Sequence, residues 1–423
     1  MADSAIAAKV FLQLAVILLT CRAIGLLARR VGQPQVVAEM VAGFLLGRSF
    51  FEWVAPEWHA ALFPAPSLRP LYVLSQIGLA LYMFTVGLEF QTTLITRHAR
   101  RAVSVSVAGV LAPLALGAGL ALVMLQTGGL FAEGVNTFQA VLFVGAAMSI
   151  TAFPVLARII HERGIAGTAV GTLALAAGAI DDATAWIMFA LVAGSLTGSV
   201  SQGLWPLAGG VVYLVVVFGL ARPLILRRVA DETDDRQTLE PWALAVMLGL
   251  LALGAWFTDI VGIYSVFGAF MLGVAVPRGV LTRELYKTIS PVTTVLLVPL
   301  YFVYSGLNAR LGLLDSMWLW TITAIVFLAA CAGKFLACWA AARLAGATTR
   351  DALGVGTLMN ARGMMELVLL NIALERGLIT PTLFTMLALM AIGTTLMAYP
   401  LFGLVSPERS ESELSHSPAA LEH

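Results

Sequence analysis

Apolar runs follow one another along almost the whole chain, and that succession limits what it can fold into more than any motif does. A bilayer crossing needs about 20 predominantly apolar residues, fewer where a segment is broken or re-entrant. Thirteen runs meet that test, at about 9–28, 35–51, 70–89, 102–126, 137–160, 166–195, 205–228, 241–258, 260–277, 288–307, 317–345, 352–375 and 381–405. Charged residues make up 12% of the chain, about half the share of a soluble domain, so lipid is its main solvent. The fold class predicted is an all-α polytopic membrane protein, not an enzyme, with no nucleic-acid partner.

Basic residues test the count, because cytoplasmic loops accumulate Lys and Arg. With thirteen crossings, seventeen of the twenty-five basic residues are assigned to loops and run ends on one side, five to those on the other, and three (Arg22, Lys334 and Arg362) to run interiors. The alternation predicts an N-terminus outside and a C-terminus inside, in what is expected to be a bacterial inner membrane. No cleavage pattern of a signal peptide precedes the first run, which is therefore read as a retained span. Cys21, Cys331 and Cys338 lie inside apolar runs and read as small buried hydrophobes, without disulfide or metal spacing.

Two of the thirteen runs carry helix-breaking sequence in their interiors: the fifth at "SITAFPV" (Ser149–Val155) and the twelfth at "NARGMME" (Asn360–Glu366). They stand seven runs apart. A first repeat at about 9–195, a linker helix at about 205–228 and a second repeat at about 241–405 would make the two breaks equivalent, with the second repeat inverted. Interrupted helices in corresponding places of two halves point to a transport site. The repeat rests on topology alone, since no residue-level identity links the halves. The domain is thus 1–405, followed by a polar tail, 406–423, whose last residues Leu421, Glu422 and His423 read as a vector-derived scar.

The ionisable groups inside these runs are the candidate site. Asp181 and Asp182 sit side by side in "ALAAGAIDDATAWIMFALVAG", each at a cost of about 2.5–3.5 kcal/mol at mid-membrane. Neighbours on a helix point about 100° apart, so the two carboxylates do not share a face. Asp182 is in line with Gly178, Ala174 and Gly171, a small-residue stripe that admits a close neighbour helix. In the fifth run Pro154 frees the carbonyl of Ile150, and Ser149 and Thr151 bring hydroxyls that either ligate a cation or satisfy freed backbone. In the twelfth, Asn360 and Gly363 mark the break. Arg362 and Glu366, spaced i, i+4, either pair along one face or let Arg362 offset exposed helix-end carbonyls. Lys334, in "FLAACAGKFLACWAAARLAG", is too central to reach either surface and calls for a buried carboxylate partner, as a permanent salt bridge or as part of the working site. Glu39 and Glu89, nearer the ends of their runs, read as solvated, and Asp259 as a loop residue.

Together, "QPQVVAEMVAGFLLGRS", "FTVGLEF", "SITAFPVLARIIHERG", "AGAIDDATAWIMFALV", "CAGK" and "LMNARGMMELVLLNIALERGLI" resemble the membrane domain of the monovalent cation/proton antiporter-2 family, over about residues 33–400. The wording is nearest the CHX and KefB/KefC branch, whereas the Asp181-Asp182-Lys334 set is similar to NapA-type exchangers. The resemblance implies an NhaA-type antiporter fold of about 13 helices, two inverted repeats with crossed broken helices, and a homodimer in lipid. It also implies exchange of Na⁺ or K⁺ for H⁺ by an elevator-type movement, with no cofactor beyond the transported ions. By position, Asp182 is implied as the cation- and proton-binding carboxylate, and Lys334 as the partner of Asp181. Ser149 and Thr151 are further candidate ligands, Lys334, Arg362 and Glu366 the charge-compensating groups, and Pro154, Asn360 and Gly363 the breaks. A proton-coupled efflux carrier for an organic cation or an ionophore on the same fold is the competing expectation.

Overall fold

The computed structural model describes residues 3–90, 99–165, 168–195 and 200–405, and these are helical almost throughout. In chain order the helices are α1 (Asp3–Arg30), α2 (Gln35–Leu46), the short α3 (Phe51–Val54) and α4 (Pro56–Leu62), α5 (Ala65–Glu89), α6 (Ala99–Thr127), α7 (Thr137–Ser149), α8 (Phe153–Glu162) and α9 (Ala169–Ser195). Next, α10 (Val200–Val216) runs through a π-helical stretch, Val217–Leu226, into α11 (Arg227–Arg236). The rest are α12 (Pro241–Val261), α13 (Ser265–Ala275), α14 (Val280–Val292), α15 (Val298–Asn308), α16 (Met317–Leu344), α17 (Thr349–Leu358), α18 (Met364–Glu375) and α19 (Pro381–Val405). Among the described residues nine helices are long and apolar enough to cross a membrane, and Thr137–Ser149 and Ser265–Ala275 are shorter apolar ones.

Local chemistry fixes several ends. Asn136 and Gln139 form a reciprocal capping box at the start of α7, each side chain accepting from the other's backbone N–H at 2.9 and 3.0 Å. The hydroxyls of Ser316 and Thr348 cap α16 and α17 by accepting from Leu319 and Asp351 N–H groups. Pro241 opens α12, and Gly262, at φ +95°, closes it in a conformation that glycine adopts without strain.

The helices pack as two sets. One joins α1, α2 and α5 with α12 to α15; the other joins α6 to α9 with α16 to α19. The extensive pairings, such as α5 with α13, α2 with α15, α6 with α7 and α16 with α6, each stay within a set. Only narrower contacts cross between them, chiefly α2 with α19 and α15 with α18 and α19. Where α2 meets α15, Gly43 and Gly306 face each other so closely that a Cβ on either would collide with backbone of the other helix. Residues facing outward along α1, including Phe11, Leu19 and Leu27, are large and apolar, which suits contact with lipid.

Two readings need correcting here. Asp259, expected in a loop, lies in the last turn of α12, exposed, because the apolar run continues as helix to Val261 before Gly262 ends it. Glu39, expected near water at the end of a run, is 5% exposed, because α2 is only twelve residues long and its first turns are already inside the bundle. It borders a groove of about 610 Å³ together with Arg22, Arg29 and Gln35.

Candidate functional site

Each of the two interrupted runs is a pair of half-helices. The first breaks between α7 and α8 at Ile150–Ala152, and the second between α17 and α18 at Met359–Gly363. The breaks meet: the Ala152 N–H donates to the Ala361 carbonyl at 3.0 Å, and the Thr151 hydroxyl lies 3.3 Å from the Met359 carbonyl. Gly363 is needed at this crossing, since a Cβ there would lie 2.9 Å from the Val155 side chain. Pro154 stands second in α8, in the first turn where a missing N–H costs little, so it opens a half-helix and does not kink a continuous one. Its side chain lies outside the described residues.

A half-helix ending in the bilayer leaves carbonyls without partners and a partial negative charge. At the end of α7 two cations cover them. Arg362, 1% exposed, donates to the Ala147 carbonyl at 2.8 Å and to that of Met148, while Lys334, fully buried, donates to that of Ser149 at 2.5 Å. Arg362 also lies 3.4 Å from Glu366, one turn on, in the first turn of α18 where a carboxylate suits the helix dipole. The Arg362 backbone is itself fixed, its N–H donating to the Thr395 hydroxyl at 3.2 Å and its carbonyl accepting from it at 2.9 Å.

Asp181 is saturated. Its Oδ1 accepts from Ser106 at 2.5 Å, and its Oδ2 from Thr151 at 2.7 Å and from Lys334 at 2.8 Å. Its neighbour contrasts with it. Asp182 is fully buried on α9, and neither of its oxygens has a hydrogen-bond partner among the described residues. The Asn360 Oδ1, on the break following α17, likewise has none, and α17 packs on α9. Acceptors stripped of donors in a dry interior cost free energy unless a proton or cation fills them. Each of these donor-poor oxygens suits a proton or a small bare cation better than an anion.

Both candidate hydroxyls are engaged within the protein. The Ser149 hydroxyl donates back to the Ala146 carbonyl of its own helix at 3.0 Å, so Ser149 enters the site through its carbonyl, on Lys334. The Thr151 hydroxyl serves Asp181, not Asp182. Ser106 has no signal in the sequence: it is one of two serines, with Ser104, in an apolar helix, and its role depends on α6 lying across α9. Gly109, one turn on in α6, makes room for Cys338, one turn beyond Lys334 on α16: a Cβ there would lie 2.5 Å from the Cys338 Sγ.

The sodium/hydrogen exchanger transmembrane family model matches residues 15–403. The chain belongs to that family. Its relatives within this family of monovalent cation:proton antiporters include the Na⁺/H⁺ antiporter NhaS4 of Synechocystis sp., 37% identical over 93% of this chain and 96% of that one. Another is the K⁺/H⁺ antiporter 1 of Saccharomyces cerevisiae, 31% identical over 94% of this chain, of whose length the chain spans 46%. Among solved structures, the sodium proton antiporter MjNhaP1 from Methanocaldococcus jannaschii at pH 8 matches with a TM-score of 0.62, covering 93% of this chain and 96% of that one at 17% identity, which establishes likeness of fold. The chain is an integral membrane protein of the exchanger family.

Proposed function

We propose that this chain is a secondary active antiporter that exchanges Na⁺ or K⁺ for H⁺ at Asp182. The observation that carries the reading is the division of labour among the buried charges. Asp181 is paired with Lys334 and Glu366 with Arg362, which leaves Asp182 as the single uncompensated carboxylate of the cluster. One proton on Asp182, or one cation shared between Asp182 and Asn360 Oδ1, neutralises the site. Emptied of both, it carries a bare charge that hydrocarbon opposes. Only the two loaded forms cross, and that asymmetry couples the fluxes. The close packing around Asp182 favours a small cation over an organic one.

The movement that alternates access is, on this reading, of the elevator type. The set holding both broken helices carries Asp181, Asp182, Lys334 and Arg362, and it meets the other set through the narrower contacts, so it slides as a unit against it. Counting α2, α13 and the two half-helix pairs as crossings beside the nine long helices gives thirteen, with inverted repeats at about 9–195 and 241–405. The N-terminus is then outside and the C-terminus inside a bacterial inner membrane. The partner is a second copy of the chain, meeting through the set that contains α1. The test is cation-driven proton flux in proteoliposomes, screened with Na⁺, K⁺, Li⁺ and larger cations. Wild-type protein is expected to respond to at least one small monovalent cation and Asp182→Asn to none; exchange retained by the variant would overturn the assignment.

A further inference from the structure

One turn beyond Asp182 on α9, Trp186 occupies the same helix face, because residues four apart stack. It is 4% exposed, and its ring closes a seam of aromatic side chains between the two helix sets. On its own helix it lies 5.5 Å from Phe189. Across the divide it meets Phe267 edge-on at 5.4 Å and lies nearly parallel to Phe270 at 6.1 Å, both on α13. The seam continues from Phe270 to Phe90 at 5.5 Å, and from Phe90 to Phe153, the first residue of α8, at 5.7 Å. Along this line the two sets touch through rings, which slide past one another without breaking directional bonds.

One atom does not fit a purely apolar seal. Among the described residues the Trp186 Nε1–H is buried without an acceptor, as the Asp182 oxygens one turn away are buried without donors. A buried indole N–H usually finds a partner, and native interiors leave few such groups unmet. A donor and acceptors orphaned on one helix face mark the place that water and the transported ion reach when the seam parts. Phe could have supplied the ring alone; the indole adds a donor at the boundary of the site.

We propose that Trp186 is the gate residue of the Asp182 site: its ring seals the site against α13, and its N–H positions the water that accompanies the cation to Asp182. This inference rests on the antiport reading, and two variants in proteoliposomes of the full chain separate its parts. Trp186→Phe keeps an aromatic ring in the seam and removes the donor with its five-membered ring. It is expected to raise the KM for the transported cation about fivefold or more with kcat nearly unchanged, a split that a structural role would not produce. Trp186→Leu removes the seal. It is expected to raise proton leak in the absence of transported cation at least tenfold and to weaken coupling. If Trp186→Leu fails to assemble, the Trp186→Phe kinetics alone decide. A Trp186→Phe KM equal to that of the wild type overturns the positioning role, and a tight, fully coupled Trp186→Leu overturns the seal. Wild-type protein showing no exchange with any small cation overturns the antiport reading and this inference together, whereas normal wild-type exchange with unaltered variants overturns this inference alone.

Discussion

Replacing Lys334 by Met tests whether Asp181 and Lys334 are one unit. Both side chains are fully buried and 2.8 Å apart. Removing the ammonium leaves Asp181 ionised with two hydroxyl donors, Ser106 and Thr151, and strips the Ser149 carbonyl of its bond. Breaking a buried ion pair from one side costs about 3–5 kcal/mol, since a charge is left behind uncompensated. Asp181→Asn alone leaves the ammonium on one carbonyl and should cost a comparable amount. Removing both charges removes the uncompensated ion as well. The remaining loss is the Ser149 carbonyl and one weakened hydroxyl contact, about 1–3 kcal/mol. The double variant is therefore expected to be more stable than either single variant, with a coupling energy of about 3 kcal/mol or more between the sites, well above the ~0.5 kcal/mol within which independent positions add. Equilibrium unfolding of purified protein in mixed micelles, run as a four-member cycle, measures it. Additive single-variant losses would refute the pair as a coupled unit and with it the separation of roles between Asp181 and Asp182.

Two further outcomes follow from contacts outside that pair. Asn371 on α18 donates to Ser305 at 2.9 Å and accepts from Asn308 at 3.0 Å, both on α15, tying the two helix sets together. Asn371→Leu leaves these groups unmet and is expected to cost about 1–3 kcal/mol, read by the same unfolding assay. His59, in α4 outside the membrane runs, is buried against the rings of Phe51 and Phe63, and burial lowers its pKa from 6.5. The folded state thus prefers the neutral ring, so this contribution is fully present above about pH 6.5 and is lost as pH falls through the folded pKa. His59→Phe should flatten the loss of stability between pH 7 and pH 5; an unchanged acid slope would show that His59 does not set it.

What could be read from the sequence was whatever lipid makes expensive. Asp181, Asp182, Lys334, Arg362 and Glu366 stood out because each is ionisable within an apolar run, and the two breaks stood out because Pro154 and Gly363 interrupt helical sequence. Direction was not legible. Thr151 sits on extended backbone between two half-helices, so no helical period tells which aspartate its hydroxyl meets. Ser106 and Trp186 carry no cost signal in an apolar helix, and only the packing of α6 and α13 against α9 gives them roles. Glu39 misled because depth was read from distance along the run, whereas α2 is short enough for its first turns to be interior.

The pairing of charges also bears on stoichiometry, which the residue types alone leave open. Three buried acids face two buried cations, so the empty site carries a net charge of one, and it resides on Asp182. If Asp181 stays bound to Lys334 through the cycle, as its three donors favour, one cation enters for each proton that leaves, and the mobile set bears the same charge in both directions. Exchange is then electroneutral. Proteoliposomes loaded with K⁺ and treated with valinomycin impose a potential of chosen sign while pH-driven Na⁺ flux is followed. The expected rate is the same at either sign, within the scatter of replicate vesicles. A rate that follows the potential would mean that a second proton moves, and the carboxylate able to take it is Asp181, which would have to leave Ser106, Thr151 and Lys334 during transport. The Lys334→Met/Asp181→Asn protein distinguishes the cases: potential sensitivity that disappears in it assigns the second charge to the pair, and sensitivity that persists assigns it elsewhere.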